Sequence, residues 1–362
     1  MNVASTDKSE GPSDADRSLL RGSLRDFLAK RWPADGAVER SDNDEAIAAV
    51  WRDLAGQGLT SLGANAGEAG LREILVAFEE LGRASCPAPL LGAVAANVAL
   101  ANLQSNAARA LLEDLHQGRA AVAVALGAFD GDAGAGHANI RGDALSGKVS
   151  FVEGAKTATH TLVFTAAPAG AAIVAHGAAG MSMRAMPGLA VPPFHEIAFE
   201  NTPAARVDIS SATLADIALV ARVACAGRAL GAAERAFELA VDHAKIRKQF
   251  GQLIGQFQAV QHKLANCLTS LDGARLTLQA AAEAYDRGNP DWRVFAASAL
   301  AFAGPALRTV SIETHRALGA IGYAEEHEAP RHFRRVHSDL ARFGGVARAR
   351  AALAETMLGP AT

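Results

Sequence analysis

The chain has 362 residues, of which 50% are hydrophobic and 20% charged, and its formal net charge is −3. That length supports two or three packed sub-domains. The small net charge argues against nucleic acid or an anionic membrane as the main partner.

Residues 1–18 are polar and acidic, without the basic start and apolar run of a signal peptide. Residues 17–118 then read as helices. Residues 42–54 open with cap candidates and carry apolar residues at helical spacing. Residues 71–81 repeat the pattern and stop at Gly82, which reads as a C-cap. Pro87, Pro89 and Gly92 mark a break before two further helices, at 93–103 and 106–115. Between 120 and 209 the apolar runs shorten and alternate with Gly, Asp, Asn and Pro clusters, the texture of strands and turns. Residues 130–136 read as a loop. From 211 onward long helices return. Val260, Leu264, Cys267, Leu271, Ala274 and Leu278 form a heptad-like seam for helix packing. Residues 286–290 end that helix, another covers 291–318, and two shorter ones close the chain. No run of about 18 apolar residues lacks polar interruption, so no membrane span is expected.

The predicted class is α+β, mainly α. It comprises an N-terminal helical domain (1–118), a middle β-barrel-like domain (119–210) and a C-terminal four-helix bundle (211–362). Cys86, Cys225 and Cys267 form no CxxC and no zinc spacing, so buried or semi-buried thiols in a cytoplasmic protein are expected. His315, His327, His332 and His337 are poorly spaced for one helix face. They read as solvated or loop histidines, with no metal site. The basic run at 331–335 reads as facing an acidic neighbour helix or a phosphate.

Four stretches carry a resemblance to one family. Residues 247–265 (RKQFGQLIGQFQAVQHKLA) contain Arg-x-x-Phe-Gly followed by Phe-Gln and a long helix. Residues 318–327 (LGAIGYAEEH) form a glycine turn before acidic residues. Residues 78–91 contain Glu-Glu-Leu-Gly-Arg, and residues 145–155 (LSGKVSFVEGA) read as a β-hairpin. In that order, over about 300 residues, they resemble the acyl-CoA dehydrogenases. The resemblance implies FAD between the β domain and the bundle, a partner subunit at its pyrophosphate and adenine, and an acyl-CoA substrate. A base would remove the α-proton and flavin N5 accept the β-hydride. Electron-transfer flavoprotein is the implied acceptor.

The same resemblance implies that Arg247 reaches the FAD of a neighbouring subunit, where a planar, permanently charged guanidinium suits a pyrophosphate. Phe250 would pack beside the adenine, with Gln258 hydrogen-bonding nearby. Gly319, Ile321, Gly322 and Tyr323 would form the turn beside the cofactor, glycine permitting close backbone approach. Ser150, Phe151 and Val152 fall where the family faces the flavin, followed here by Glu153, whose charge would disfavour an anionic reduced flavin. An ordinary strand is the competing reading.

The departures are as informative. The family's first glycine pair is Gly319-Ala320, the glutamine before it is Arg316, and the flavin-holding Thr-Glu-Pro-x-Ala-Gly-Ser-Asp pattern is gone from 125–136. The two positions where the family carries its base are Phe343 and Lys248. Neither can remove a proton from carbon, and general-base catalysis contributes roughly 10²–10⁴-fold. The reading that reconciles these features is the base-lacking subunit of a heteromer, an α2β2 tetramer like those that shorten steroid side chains, completing an FAD shared with a homologous subunit. The alternatives are a self-sufficient homomer with a relocated base (Asp339, Glu325 or Glu326) and a non-catalytic scaffold.

Overall fold

The computed structural model describes residues 11–129, 133–166, 168–342 and 345–359. Six helices come first: α1 (Asp14–Arg31), α2 (Ala37–Ser41), α3 (Asp44–Gly56), α4 (Leu71–Arg83), α5 (Leu90–Leu100) and α6 (Asn106–His116). Eight strands follow: β1 (Val122–Ala125), β2 (Gly136–Arg141), β3 (Ala144–Val152), β4 (His160–Ala166), β5 (Ala169–Ala175), β6 (Met181–Ala185), β7 (His195–Pro203) and β8 (Ala205–Val207). The rest is helical: α7 (Ser211–Ile246), α8 (Gln258–Asp286), α9 (Trp292–Leu318), α10 (Ala329–Ala341) and α11 (Gly345–Leu358). A two-residue hairpin, β9 (Lys248–Gln249) and β10 (Gln252–Leu253), interrupts them after α7. The predicted mainly helical α+β class with a β middle is what the chain adopts.

The strands form one curled sheet in the order β6-β7-β3-β2-β4-β5-β8, with β1 parallel to β4. Its two faces are sorted by the period-2 alternation of strands. On β4, Val163 points into a small core inside the curl with Val149, Ile197 and Phe199. Its neighbours Leu162 and Phe164 join the large helical core.

Charge holds α1 to α4. Arg17, Arg21 and Arg25 sit at four-residue spacing on one face of α1. They donate to Glu73 (2.9 Å), Glu79 (2.6 Å) and Glu80 (2.7 and 2.8 Å), all buried on α4. Helix α4 then crosses α7 at van der Waals contact of backbones. A Cβ on Gly82 would lie 1.9 Å from the Arg228 carbonyl oxygen, and one on Gly231 would lie 1.8 Å from that of Glu79. This corrects the reading of Gly82 as a C-cap: it lies inside α4, and its missing side chain is where α7 passes.

Helix α5 begins at Leu90, three residues earlier than the spacing implied, with Pro89 at the position before its first turn. On α8, Cys267, Leu271, Ala274 and Leu278 are buried as the seam predicted. Val260 and Leu264 are only half-buried. Residues 130–132 of the expected loop lie outside the described residues, and Gly136 already belongs to β2. The three cysteines are buried and free, and burial pushes their thiols up to about 12 for Cys86 and Cys225 and about 11 for Cys267.

The membrane expectation needs a correction. The helical stretch Trp292–Tyr323 is long and apolar enough to cross a membrane on length and composition alone. It contains α9, whose Ala296, Ala299, Ala303, Leu307 and Val310 are buried in the helical core. Core helices of this length pass the same test.

Candidate functional site

The sequence-predicted contacts fall into two outward-facing turns. Helix α7 ends at Ile246, and Arg247 is its cap residue, exposed. The β9–β10 hairpin follows, with Phe250 in a left-handed conformation (φ 51°) and 93% exposed. Its ring meets Phe257 edge-on, at 6.3 Å between centroids. An exposed phenylalanine at positive φ is strained and unburied, a combination that marks a contact surface. Lys248 is exposed on the same hairpin, and Gln258 is exposed at the first turn of α8. The second turn is a 3₁₀ segment, Gly319–Tyr323, where Gly322 is buried and Ile321 and Tyr323 are exposed. Phe343 lies outside the described residues.

The inner junction, where β3 meets α7 and α10, is built from charge. Arg228 is 1% exposed in the middle of α7. Its Nε and Nη2 donate to both Asp339 oxygens at 2.9 and 2.6 Å, and its Nη1 and Nη2 donate to Glu153 at 2.6 and 2.8 Å. Arg342 donates to Glu153 at 2.7 Å, and Arg335 lies 3.6 Å from Glu153 and 3.7 Å from Asp339. Burial alone would raise the Glu153 carboxyl. Arg228, Arg342 and Arg335 overcome that and hold it well below the usual carboxylate range. Glu153 therefore does not stand free beside a flavin position, as the strand alignment implied. It is the carboxylate anchor of three guanidiniums.

The strand that presents Glu153 leaves its ladder just before it. The β3–β7 register shifts between Val149 and Val152, and Phe151 adopts φ 60°. Such bulges re-aim side chains next to functional sites. Phe151, Met186, Leu189, Phe194, His337 and Ser338 line a cavity of about 250 Å³ at this junction. Arg342 closes its edge, stacked on Phe194 at 4.9 Å and donating to the Phe151 carbonyl at 3.3 Å.

The three acidic residues considered as a relocated base are all engaged or remote. Asp339 spends both oxygens on Arg228. Glu325 pairs with Arg334 on the surface, and Glu326 is exposed.

His315 and His332 depart from the solvated or loop reading, while His327 lies half-buried in the turn before α10. His332 is buried between Ser85 Oγ (3.0 Å) and Glu328 (3.4 Å), and burial lowers its pKa. His315 is buried too, in a ring stack with Phe333 and Tyr323 that continues to His337. Aromatic packing across two turns overrode the spacing argument. Among the described residues no group of three or more His, Cys, Asp and Glu could hold a metal ion. The basic run folds inward: Arg331 and Arg335 are buried and Arg334 meets Glu325.

Residues 215–358 match the family model described as the acyl-CoA dehydrogenase C-terminal domain. The acyl-CoA dehydrogenase IpdE2 of Mycobacterium tuberculosis is 29% identical over 330 residues, covering 89% of this chain and 91% of that protein. The steroid ACAD Tcur3481-Tcur3483, solved as a variant, superposes with a TM-score of 0.83 at 26% identity, over 95% of this chain and 98% of that one. Over residues 215–358 the chain matches the acyl-CoA dehydrogenases, and its whole length resembles them. The ChsE4-ChsE5 complex of Mycobacterium tuberculosis shares the fold, at TM-score 0.82 and 23% identity over the whole of both chains.

Against the acyl-CoA dehydrogenase frame, sequence reading pointed to the outward turns, took Arg335 only as part of a basic run facing an acidic neighbour helix or a phosphate, and missed Arg228 and Arg342. A signal existed for Arg228. It is the sole charged residue in the run Val223–Ala233 of an Ala-rich helix, where a cation needs a partner supplied by another element.

Proposed function

We propose that this chain is the base-lacking subunit of a heteromeric acyl-CoA dehydrogenase and completes an FAD site held mainly by a homologous partner. The observation that carries the reading is the contrast between its two halves. The Arg247–Phe250 turn is exposed, strained and uncommitted, with a guanidinium suited to a pyrophosphate held by another chain. The inner junction is closed by Arg228 bound to Glu153 and Asp339. Its cavity of about 250 Å³ lies below the roughly 300–1,000 Å³ usual for small-molecule sites.

The fit to FAD is accordingly split. Arg247, Phe250, Gln258 and the Gly319–Tyr323 turn suit the outer edge of a partner's cofactor. The residues of the inner junction do not fit a flavin ring. FAD, where bound, supplies the hydride acceptor for α,β-dehydrogenation of an acyl-CoA thioester. This chain's part is to position and neutralise the cofactor from outside. The similar structures include a steroid enzyme and a two-component complex. A steroid side-chain thioester and an α2β2 assembly are therefore the substrate and partner we assign, with electron-transfer flavoprotein as acceptor.

The test is an ultraviolet–visible spectrum and dye-reduction assay of the purified chain, alone and co-expressed with a homologous acyl-CoA dehydrogenase subunit from the same organism. A colourless chain alone and a yellow, active complex with one FAD per pair of chains is expected. A yellow, acyl-CoA-oxidising preparation of this chain alone would overturn the reading, and no flavin in either case would favour a scaffold.

A further inference from the structure

The cavity of about 250 Å³ at the inner junction has no part in the cofactor edge proposed above, yet its walls are firmly built. One wall is the segment 186–194, which joins β6 to β7. The Met186 N–H donates to the Phe194 carbonyl at 2.8 Å, closing the segment on itself. The Met186 sulfur accepts from the Phe151 N–H at 3.4 Å, and the Val191 carbonyl accepts from Arg335 Nη2 at 3.2 Å. The segment is thereby fastened to both β3 and α10. The opposite wall is one side of α10 at its C-terminal end. His337, Ser338, Ala341 and Arg342 lie there, at the four-residue spacing that puts helix side chains on a common face.

Phe151, Met186, Leu189, Ala190 and Phe194 make the rest of the lining apolar. Two polar groups on the α10 wall are unspent. Ser338 is 6% exposed, and its Oγ has no hydrogen-bond partner among the described residues. The neighbouring His337 Nε2 is buried without one as well. Buried polar atoms left unanswered are unfavourable. With no bond to break, one χ1 rotation brings the Ser338 hydroxyl to an oxygen placed against that wall. Burial, helped by the charge of Arg308, lowers the His337 pKa, so its ring stays neutral near pH 7. Arg342 at the edge already holds Glu153 at 2.7 Å, so a second carboxylate there would crowd the first.

We infer that this cavity binds a small neutral aromatic molecule of about ten heavy atoms carrying one hydroxyl. An apolar cavity of roughly 150 Å³ holds benzene, and the same space per atom gives about ten atoms here. Phe151, Phe194 and the Met186 sulfur favour contact with a ring. A hydroxyl both donates and accepts, so His337 Nε2 and Ser338 Oγ can each answer it. The site uses neither the Arg247 turn nor a partner's flavin, so it does not depend on the heteromer reading.

The experiment is methyl NMR of the full chain, labelled at its five methionines and titrated with 4-ethylphenol, ethylbenzene and 4-ethylbenzoate. Met186 stands in the wall, and Met186→Leu assigns its signal. The expected result is a saturable ring-current shift of Met186 with 4-ethylphenol, half-complete below about 1 mM. Ethylbenzene should bind at least about fivefold more weakly, and 4-ethylbenzoate at least about tenfold. Ser338→Ala removes a hydroxyl that bonds nothing, so the fold should hold and the gap between phenol and ethylbenzene should narrow. Ala341 is exposed at the rim, so Ala341→Phe should fill the cavity and abolish the shift. Equal or tighter binding of ethylbenzene or the carboxylate would overturn the inference. So would no saturable Met186 shift with 4-ethylphenol below about 5 mM, an unchanged gap in S338A, or an undiminished shift in folded A341F. The three-ligand comparison needs only the parent chain, so a variant that fails to fold leaves the test intact. A visible spectrum of the same sample reports bound flavin, and with it the heteromer reading, separately.

Discussion

Asp339 turns both carboxylate oxygens onto Arg228, at 2.6 and 2.9 Å, and the arginine turns what remains of its fork onto Glu153. One side chain from the middle of α7 thereby ties β3 to α10. The Phe78 ring from α4 lies under its guanidinium at 5.8 Å.

Removing that tie should be severe. Arg228→Ala leaves two carboxylates with little water and one cation fewer, and breaking such a buried pair costs roughly 3–5 kcal/mol. Urea unfolding of R228A should show that loss. The triple variant R228M/E153M/D339L should not recover it, because buried Arg335 and Arg342 then lose the carboxylates they face. A loss below about 1 kcal/mol in R228A would mean that water reaches the cluster freely.

The α4–α7 crossing gives a paired steric prediction. Gly82→Ala would place a methyl group 1.9 Å from the Arg228 carbonyl oxygen, so the helices must separate. Overpacking of this kind costs about 3 kcal/mol or more. Gly22→Ala, in exposed α1 with nothing within 4 Å, should instead stabilise by about 0.8–1 kcal/mol through helix propensity. Thermal melts of the two variants should move in opposite directions.

Stability should fall on mild acidification. Burial lowers the pKa of His332, and burial with the neighbouring charge of His160 lowers that of His176 to about 4. A folded pKa below the unfolded value of about 6.5 favours the neutral ring in the native state. That contribution is full above pH about 6.5 and is lost as pH falls toward the folded values. Glu328 adds a later limb. Burial raises its carboxyl, but hydrogen bonds from His332 and Arg235 outweigh that and bring it to about 2, so its contribution fades from about 4.5 downward. Melting temperatures between pH 7.5 and 4 should decline. His176→Asn should flatten part of that decline, and a flat parent curve over this range would contradict the assignment.

The outward turn predicts a separation of effects. Arg247→Ala and Phe250→Ala alter exposed side chains, so the isolated chain should change by less than about 0.5 kcal/mol. Co-expressed with its partner, each variant should lower the flavin bound per complex. Equal flavin content in parent and variants would detach these residues from the cofactor.

The sequence by itself determined the class, the run of helices, strands and helices, most of the α8 seam and the family resemblance. Those depend on local periodicity and on short ordered stretches that a chain carries wherever it folds. It pointed to Arg247 and Phe250 only through the resemblance of residues 247–265 to a family motif, and the hairpin that carries them came from the structure. Only the tertiary structure decided the fate of the charges. Glu153 looked like a flavin neighbour on β3 until α7 and α10 brought three arginines to it from 75, 182 and 189 residues away. Gly82 looked like a helix end until α7 crossed it, and His332 looked solvated until Ser85 and Glu328 enclosed it. Pairing of buried charges and close passage of backbones depend on partners distant in the chain, and no local pattern names them.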